Sequence, residues 1–295
     1  MTSNKPYFSI IIPALNEAKY LPNLLEDLAQ QTYQDFEVIV VDGHSDDQTV
    51  AKAKAYAKKL SLTILTSSRR HVCTQRNLGG EKARADWLIF MDADNRLPVY
   101  FLQGIKYRLE SESSDIATCW LQSDTSAPKD KNIALAINYA TELMKNTFNA
   151  VCMEAMIITH ALVFTKLGGF NEQIHVSEGQ ELLRRARKLE LTFQVFRDPV
   201  YTYSFRRIRK YGLINIVSRL SANEVAILIG QKLTKHQVNK LYPMEGGSLF
   251  DTRITQQNKD NFTRNINHIF TKVKLNQKPL SLNTLKQQLQ HLLEI

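Results

Sequence analysis

Residues 76–98, RNLGGEKARADWLIFMDADNRLP, hold the pattern on which the fold turns. Within them WLIFM (87–91) is an unbroken apolar run with no polar alternation, as expected of a strand covered on both faces. Two similar runs precede it, FSIIIP at 8–13 and FEVIVV at 36–41, with a shorter one at 62–65. Between them, residues 16–31 carry Leu21, Leu24, Leu25 and Leu28 on one helical face. Residues 48–60 are rich in Ala and Lys at helical spacing, and residues 75–84 read as a short helix. Strand–helix alternation of this kind predicts an α/β chain with a mainly parallel sheet flanked by helices.

The second half is less regular. Helices are expected at 97–110, 132–148 and 181–189, and strands at 116–121, 155–164 and 192–196. A loop is expected at 122–131, and Gly168-Gly169-Phe170 reads as a turn. Beyond residue 230 the composition shifts to Lys, Asn and Gln, which divides the chain into a domain at 1–230 and a C-terminal helical extension at 231–295.

The chain has 295 residues, 43% of them hydrophobic and 23% charged, the balance of an ordinary globular protein. Collagen-like and disordered classes are thereby excluded. Three scattered cysteines do not make a disulfide framework or a zinc site, and a reducing, cytoplasmic compartment is the expectation. The opening MTSNKPYFSIIIP does not read as a signal peptide, and no apolar window is long enough to span a bilayer. The excess of 38 Lys and Arg over 29 Asp and Glu gives a net charge of +9, which suggests an anionic partner.

In open α/β sheets ligands bind beyond the carboxyl ends of the strands. There FEVIVV ends in Asp42, and WLIFM ends in Asp92-Ala93-Asp94. Neither GxGxxG nor GxxxxGK[ST] occurs, so the dinucleotide and P-loop readings lose their main support. Carboxylates at i and i+2 of an extended segment point to one side, which suits Mg²⁺ or Mn²⁺ shared with substrate phosphates. A capped, solvated turn is the plain alternative for such a pair.

SIIIPALNEAKYLPNLLEDL, EVIVVDGHSDDQTV and the 76–98 segment, in this order, resemble the successive motifs of family 2 glycosyltransferases of the GT-A fold. The likeness continues through LVFTKLGGFNEQIHVSEGQELLRRARK, so that it covers residues 7–210 or so. It implies a nucleotide-sugar donor, an acceptor of unknown kind, saccharide or lipid-linked, and a divalent metal, Mg²⁺ or Mn²⁺. By the same resemblance Pro13, Ala14, Asn16 and Glu17 border the nucleotide, and Asp42 binds its base or ribose. Arg76 and Asn77 lie near the nucleotide. Asp92, Ala93 and Asp94 match the DxD, with Asp94 the more direct metal ligand and part of the catalytic apparatus.

The resemblance breaks at one point. Inverting members carry a Glu-Asp pair before the helix at 181–189, with the Asp as general base, whereas here the pair is Glu178-Gly179. Glu178 is the substitute expected, with Glu181 beside it; an acceptor that is already ionised, or loss of transfer, are the other readings of the glycine. The basic segment 201–211 places Arg206 and Arg207 where they could clamp a diphosphate, or else face an anionic membrane surface. A nucleic-acid partner has no motif behind it. Two other functions compete with sugar transfer: a nucleotidyltransferase-like enzyme, and a non-catalytic nucleotide-sugar-binding or scaffold protein.

Overall fold

The computed structural model describes residues 5–147 and 150–211. The apolar runs form the strands expected of them: β1 (Phe8–Ala14), β2 (Phe36–Asp42) and β4 (Trp87–Met91), with β3 (Leu62–Thr66) half-buried. β1 and β2 are buried along their whole length. They alternate with α1 (Leu21–Ala29), α2 (Thr49–Lys54) and α3 (Val72–Lys82). The four leucines expected on one face of the first helix are all buried in α1. Then follow α4 (Phe101–Ser111), β5 (Ile116–Ser123), α5 (Pro128–Met144), β6 (Met156–His160), α6 (Ala161–Lys166), α7 (Glu178–Lys188), β7 (Phe193–Tyr203) and α8 (Arg206–Tyr211).

The sheet has seven strands in the order β3-β2-β1-β4-β6-β5-β7. All neighbours are parallel except β6, which runs antiparallel to both β4 and β5. This reversal positions the site. Because Met91 pairs with Met156, the residues just before β6 lie at the carboxyl end of β4. Among the described residues, one compact unit runs to Phe205, and α8 belongs to a second one. The boundary expected at residue 230 and the extension at 231–295 fall outside the described residues, as does the end of the helix expected at 132–148.

Several boundaries differ from the sequence reading, three of them with a plain cause. The apolar run at 155–164 is strand only to His160, whose ring Nδ1 accepts the Leu162 N–H at 3.2 Å and caps α6. α5 starts at Pro128, inside the expected loop, since proline at a first helical position gives up no hydrogen bond. β7 continues to Tyr203 because its partner β5 supplies a ladder as far as Ser123.

Candidate active site

The loops leaving β1 and β2 are laced to each other. Asn16 Oδ1 accepts the Asp46 N–H at 2.7 Å, and the Asn16 N–H donates to Ser45 Oγ at 2.8 Å. The Glu17 N–H donates to Thr49 Oγ1 at 2.8 Å, and the Ala18 N–H to Asp47 Oδ2 at 3.1 Å. Asp42, buried at the end of β2, accepts the Ser45 N–H at 3.1 Å. Pro13 and Ala14 end β1 in the core, where the Ala14 carbonyl accepts the Gly43 N–H at 2.8 Å. Asn16 and His44 both hold positive φ, at 54° and 62°. Such conformations cost about 1–3 kcal/mol each and persist where the surroundings over-determine them, as this hydrogen-bonded pair of loops does.

Arg76, on α3, is 1% exposed and gathers the centre of the site. Its Nη1 donates to Glu178 Oε1 at 2.8 Å; its Nη2 donates to Asp92 Oδ1 at 3.1 Å and to the Glu154 carbonyl at 3.0 Å. The guanidinium carbon lies 5.3 Å from the centre of the Phe170 ring. This arginine, which the resemblance puts near the nucleotide, is the counter-ion of an internal carboxylate cluster. α3 approaches the sheet closely enough to place it because Gly79 carries no side chain: a Cβ there would fall 2.3 Å from Ile11 Cγ2.

Asp92 and Asp94 follow β4 directly, with Ala93 buried between them. The segment is a turn, not the extended stretch expected, because the Asn95 N–H closes onto the Asp92 carbonyl at 3.2 Å. Asp92 keeps 36% of its side chain accessible, yet desolvation pushes its pKa up to about 6. Asp94 and Glu178 add to that rise and Arg76 opposes it. Asp94 is half-buried.

Asn77, which the resemblance also puts near the nucleotide, is engaged with a turn. Its amide donates to the Phe170 carbonyl at 2.9 Å and to Glu172 Oε1 at 3.1 Å, and accepts the Phe170 N–H at 2.8 Å. It thereby holds the Gly168-Gly169 turn, where both glycines have φ near 70°. Glu178 opens α7 and is 3% exposed, with Oε1 on Arg76. Glu181 pairs with Arg185 at 2.8 Å. His175 and His71 hydrogen-bond to each other at 2.8 Å. Arg206 and Arg207 lie in α8, in the second unit.

One member of the cluster is missing from the sequence reading. Glu154, two residues before β6, accepts the Gly179 N–H through Oε1 at 3.1 Å. Burial and the neighbouring Glu178 push its pKa well above the ordinary carboxylate range, against the pull of Arg76. A lone glutamate before an apolar run carries no motif; the only signal was its place beside a strand that reverses direction.

The geometry meets an independent comparison here. A family model for glycosyl transferase family 2 matches residues 9–168. The chain belongs to that family. Among its relatives, the PGL/p-HBAD biosynthesis glycosyltransferase of Mycobacterium tuberculosis is 43% identical over 94 residues, 31% of this chain and 37% of the relative. The poly(ribitol-phosphate) beta-N-acetylglucosaminyltransferase TarS of Staphylococcus aureus is 24% identical over 94% of this chain and 48% of its own. This family 2 chain therefore spans about half or less of the length of these curated relatives. Two solved structures share its fold. S. aureus TarS 1-349 in complex with UDP-GlcNAc has a TM-score of 0.57 at 20% identity, over 85% of this chain and 78% of that one. The mannosyltransferase PcManGT of Pyrobaculum calidifontis, in complex with GDP-Man and Mn2+, has a TM-score of 0.61 at 18% identity, over 81% and 69%. The GT-A-type architecture expected from the sequence motifs is thus the one this chain has.

Proposed function

We propose that this chain transfers a sugar from a nucleotide-sugar donor to an acceptor hydroxyl, with inversion at the anomeric carbon and release of a nucleoside diphosphate. The observation that carries the reading is the convergence of two loops and a carboxylate pair at the carboxyl ends of β1, β2 and β4, the side of an open sheet where ligands bind. Pro13, Ala14, Asn16, Glu17 and Asp42 form the wall for the nucleoside. Asp92 and Asp94 are the residues that would hold a divalent cation, Mg²⁺ or Mn²⁺.

The donor set fits such an ion. Among the described residues no group of three or more His, Cys, Asp or Glu is arranged so that it could hold a metal ion by itself. Two carboxylates with the substrate's own phosphates are the usual environment of Mg²⁺, in contrast to an all-protein cage. When bound, the cation supplies charge neutralisation for the departing diphosphate. The chain's part in holding the donor is positional: Arg76 holds Asp92 in place, Asn77 holds the Gly168-Gly169 turn, and the strained loops are set before the donor arrives.

Calorimetric titration of the full chain with UDP and GDP tests this. Mn²⁺ should strengthen the binding of one of them by at least about tenfold, roughly 1.4 kcal/mol. Incubation with UDP- and GDP-sugars should then release nucleoside diphosphate. Release of pyrophosphate instead would identify a nucleotidyltransferase. Cation-dependent binding without any release would favour a binding protein, a second reading that rests on Gly179 standing where a base is expected.

The acceptor, saccharide or lipid-linked, sets where the enzyme works, and we read it as cytoplasmic with peripheral contact to a membrane face. Among the described residues no helix is long and apolar enough to cross a membrane. What supports surface contact is α5, which exposes Leu135, Tyr139 and Leu143 at 46%, 49% and 80%, four residues apart and so on one face. The chain should sediment with phosphatidylglycerol vesicles more than with phosphatidylcholine ones, and Leu143→Glu should reduce that fraction severalfold. Equal sedimentation with both lipids, or no effect of the substitution, would remove the membrane from the proposal.

A further inference from the structure

Gly179 is not merely a base that has been lost; it is a position with no room for a side chain. A Cβ there would fall 2.8 Å from Glu154 Cγ and 2.9 Å from Cys152 Sγ. The space a longer residue would fill is occupied by Glu154, coming from the opposite side. We propose that Glu154 takes the proton of the attacking acceptor, supplying from the loop before β6 the carboxylate that Gly179 does not. The inference rests on the glycosyl-transfer reading above and names the base of that reaction.

The competitors are engaged or enclosed. Glu178 has Oε1 on Arg76 and a side chain only 4% exposed, which puts it out of reach of an acceptor hydroxyl. Glu181 is paired with Arg185 at 2.8 Å. Glu154 is the more exposed of these carboxylates beside Arg76. It is only half-buried, and one oxygen is fixed by the Gly179 N–H at the start of α7, at 3.1 Å. Its backbone is tied to the turn at Asp92 from two directions: its carbonyl accepts from Arg76, and the next carbonyl, of Ala155, accepts the Asp92 N–H at 3.2 Å. The backbone that carries this carboxylate is therefore tied to the turn assigned to the donor. In the step proposed, the acceptor oxygen forms a bond to the anomeric carbon as its proton passes to Glu154. The bond from that carbon to the diphosphate breaks, and its electron pair leaves with the diphosphate.

Glu154→Gln separates chemistry from architecture, because the amide oxygen can still accept the Gly179 N–H while basicity is gone. With UDP-GlcNAc and GDP-mannose as donors, Mn²⁺ present and water as acceptor, nucleoside diphosphate release should fall at least about 100-fold, the usual range for a lost general base. Binding of UDP or GDP should stay within about twofold of wild type, RT ln 2 being well under 1 kcal/mol. Azide needs no base, so Glu154→Ala given azide should regain turnover and form the glycosyl azide. A Gln variant within a few-fold of wild-type rate, or an Ala variant that azide does not rescue, would overturn the assignment. A wild type that binds nucleotide with Mn²⁺ yet releases none, or that binds neither nucleotide, would bring down the glycosyl-transfer reading itself, and this inference with it.

Discussion

Replacing Arg76 by methionine should lower the melting temperature by about 6–20 °C, because removing one partner of a buried ion pair costs about 3–5 kcal/mol and a unit of this size shifts about 2–4 °C per kcal/mol. Methionine keeps most of the volume and removes the charge. Glu178 would then stand 3% exposed with no cation, beside Asp92 and Glu154. Like charges left together in that space must take up protons or repel. The sign of the pH effect follows. Asp92 and Glu154 already have folded-state pKa values above their unfolded ones, and losing Arg76 raises both further, so the added destabilisation is present above about pH 4 and relieved below it. The gap between wild type and variant should be widest near neutral pH and should narrow on acidification. Arg76→Lys, which keeps the charge and loses the planar fork, should fall between the two. Scanning calorimetry across pH 4–8 checks all three; a methionine variant melting within a degree or two of wild type would mean that the cluster is not held together by this arginine.

Asp94→Ala should abolish most cation-dependent nucleotide binding, weakening it by about 100-fold, since ligation by such a carboxylate is worth several kcal/mol. Donor turnover should fall by at least about 1,000-fold, because the loss is greater where charge builds up on the leaving diphosphate. Stability should hardly change, since the residue is half-buried in a turn beyond the carboxyl end of β4. Asp92→Ala is the poorer test. It would also unseat Arg76, and loss of binding would be mixed with loss of structure. Isothermal titration of UDP and GDP with and without Mn²⁺ reads the effect directly. If Asp94→Ala bound as well as wild type in the presence of Mn²⁺, the cation site would have to be moved elsewhere.

The two predictions concern residues that were visible in the sequence to different degrees. Asp92 and Asp94 follow a five-residue apolar run, and that context was enough to place them at a strand end. Arg76 was visible as a basic residue near the nucleotide, but its partner Glu178 lies 102 positions away. Asn77 likewise belongs to a turn 93 residues further on. Residues 155–164 show the other limit. An apolar run without alternation fits a buried strand or a buried helix equally well, and here it is a strand followed by a helix.

What the sequence alone determined is the part of this protein governed by local pattern. Continuous apolar runs made β1, β2 and β4, helical spacing made α1, and the residues after each run lie at the ligand-binding end of the sheet. What the tertiary structure decided is which carboxylate can act. That depends on β6 running antiparallel to β4, which carries Glu154 to the same end of the sheet as Asp92, and on the absence of a side chain at Gly179, which lets it stay there. Hydrophobic periodicity is a property of neighbours along the chain. Charge pairing and steric exclusion act between groups brought together only by the fold.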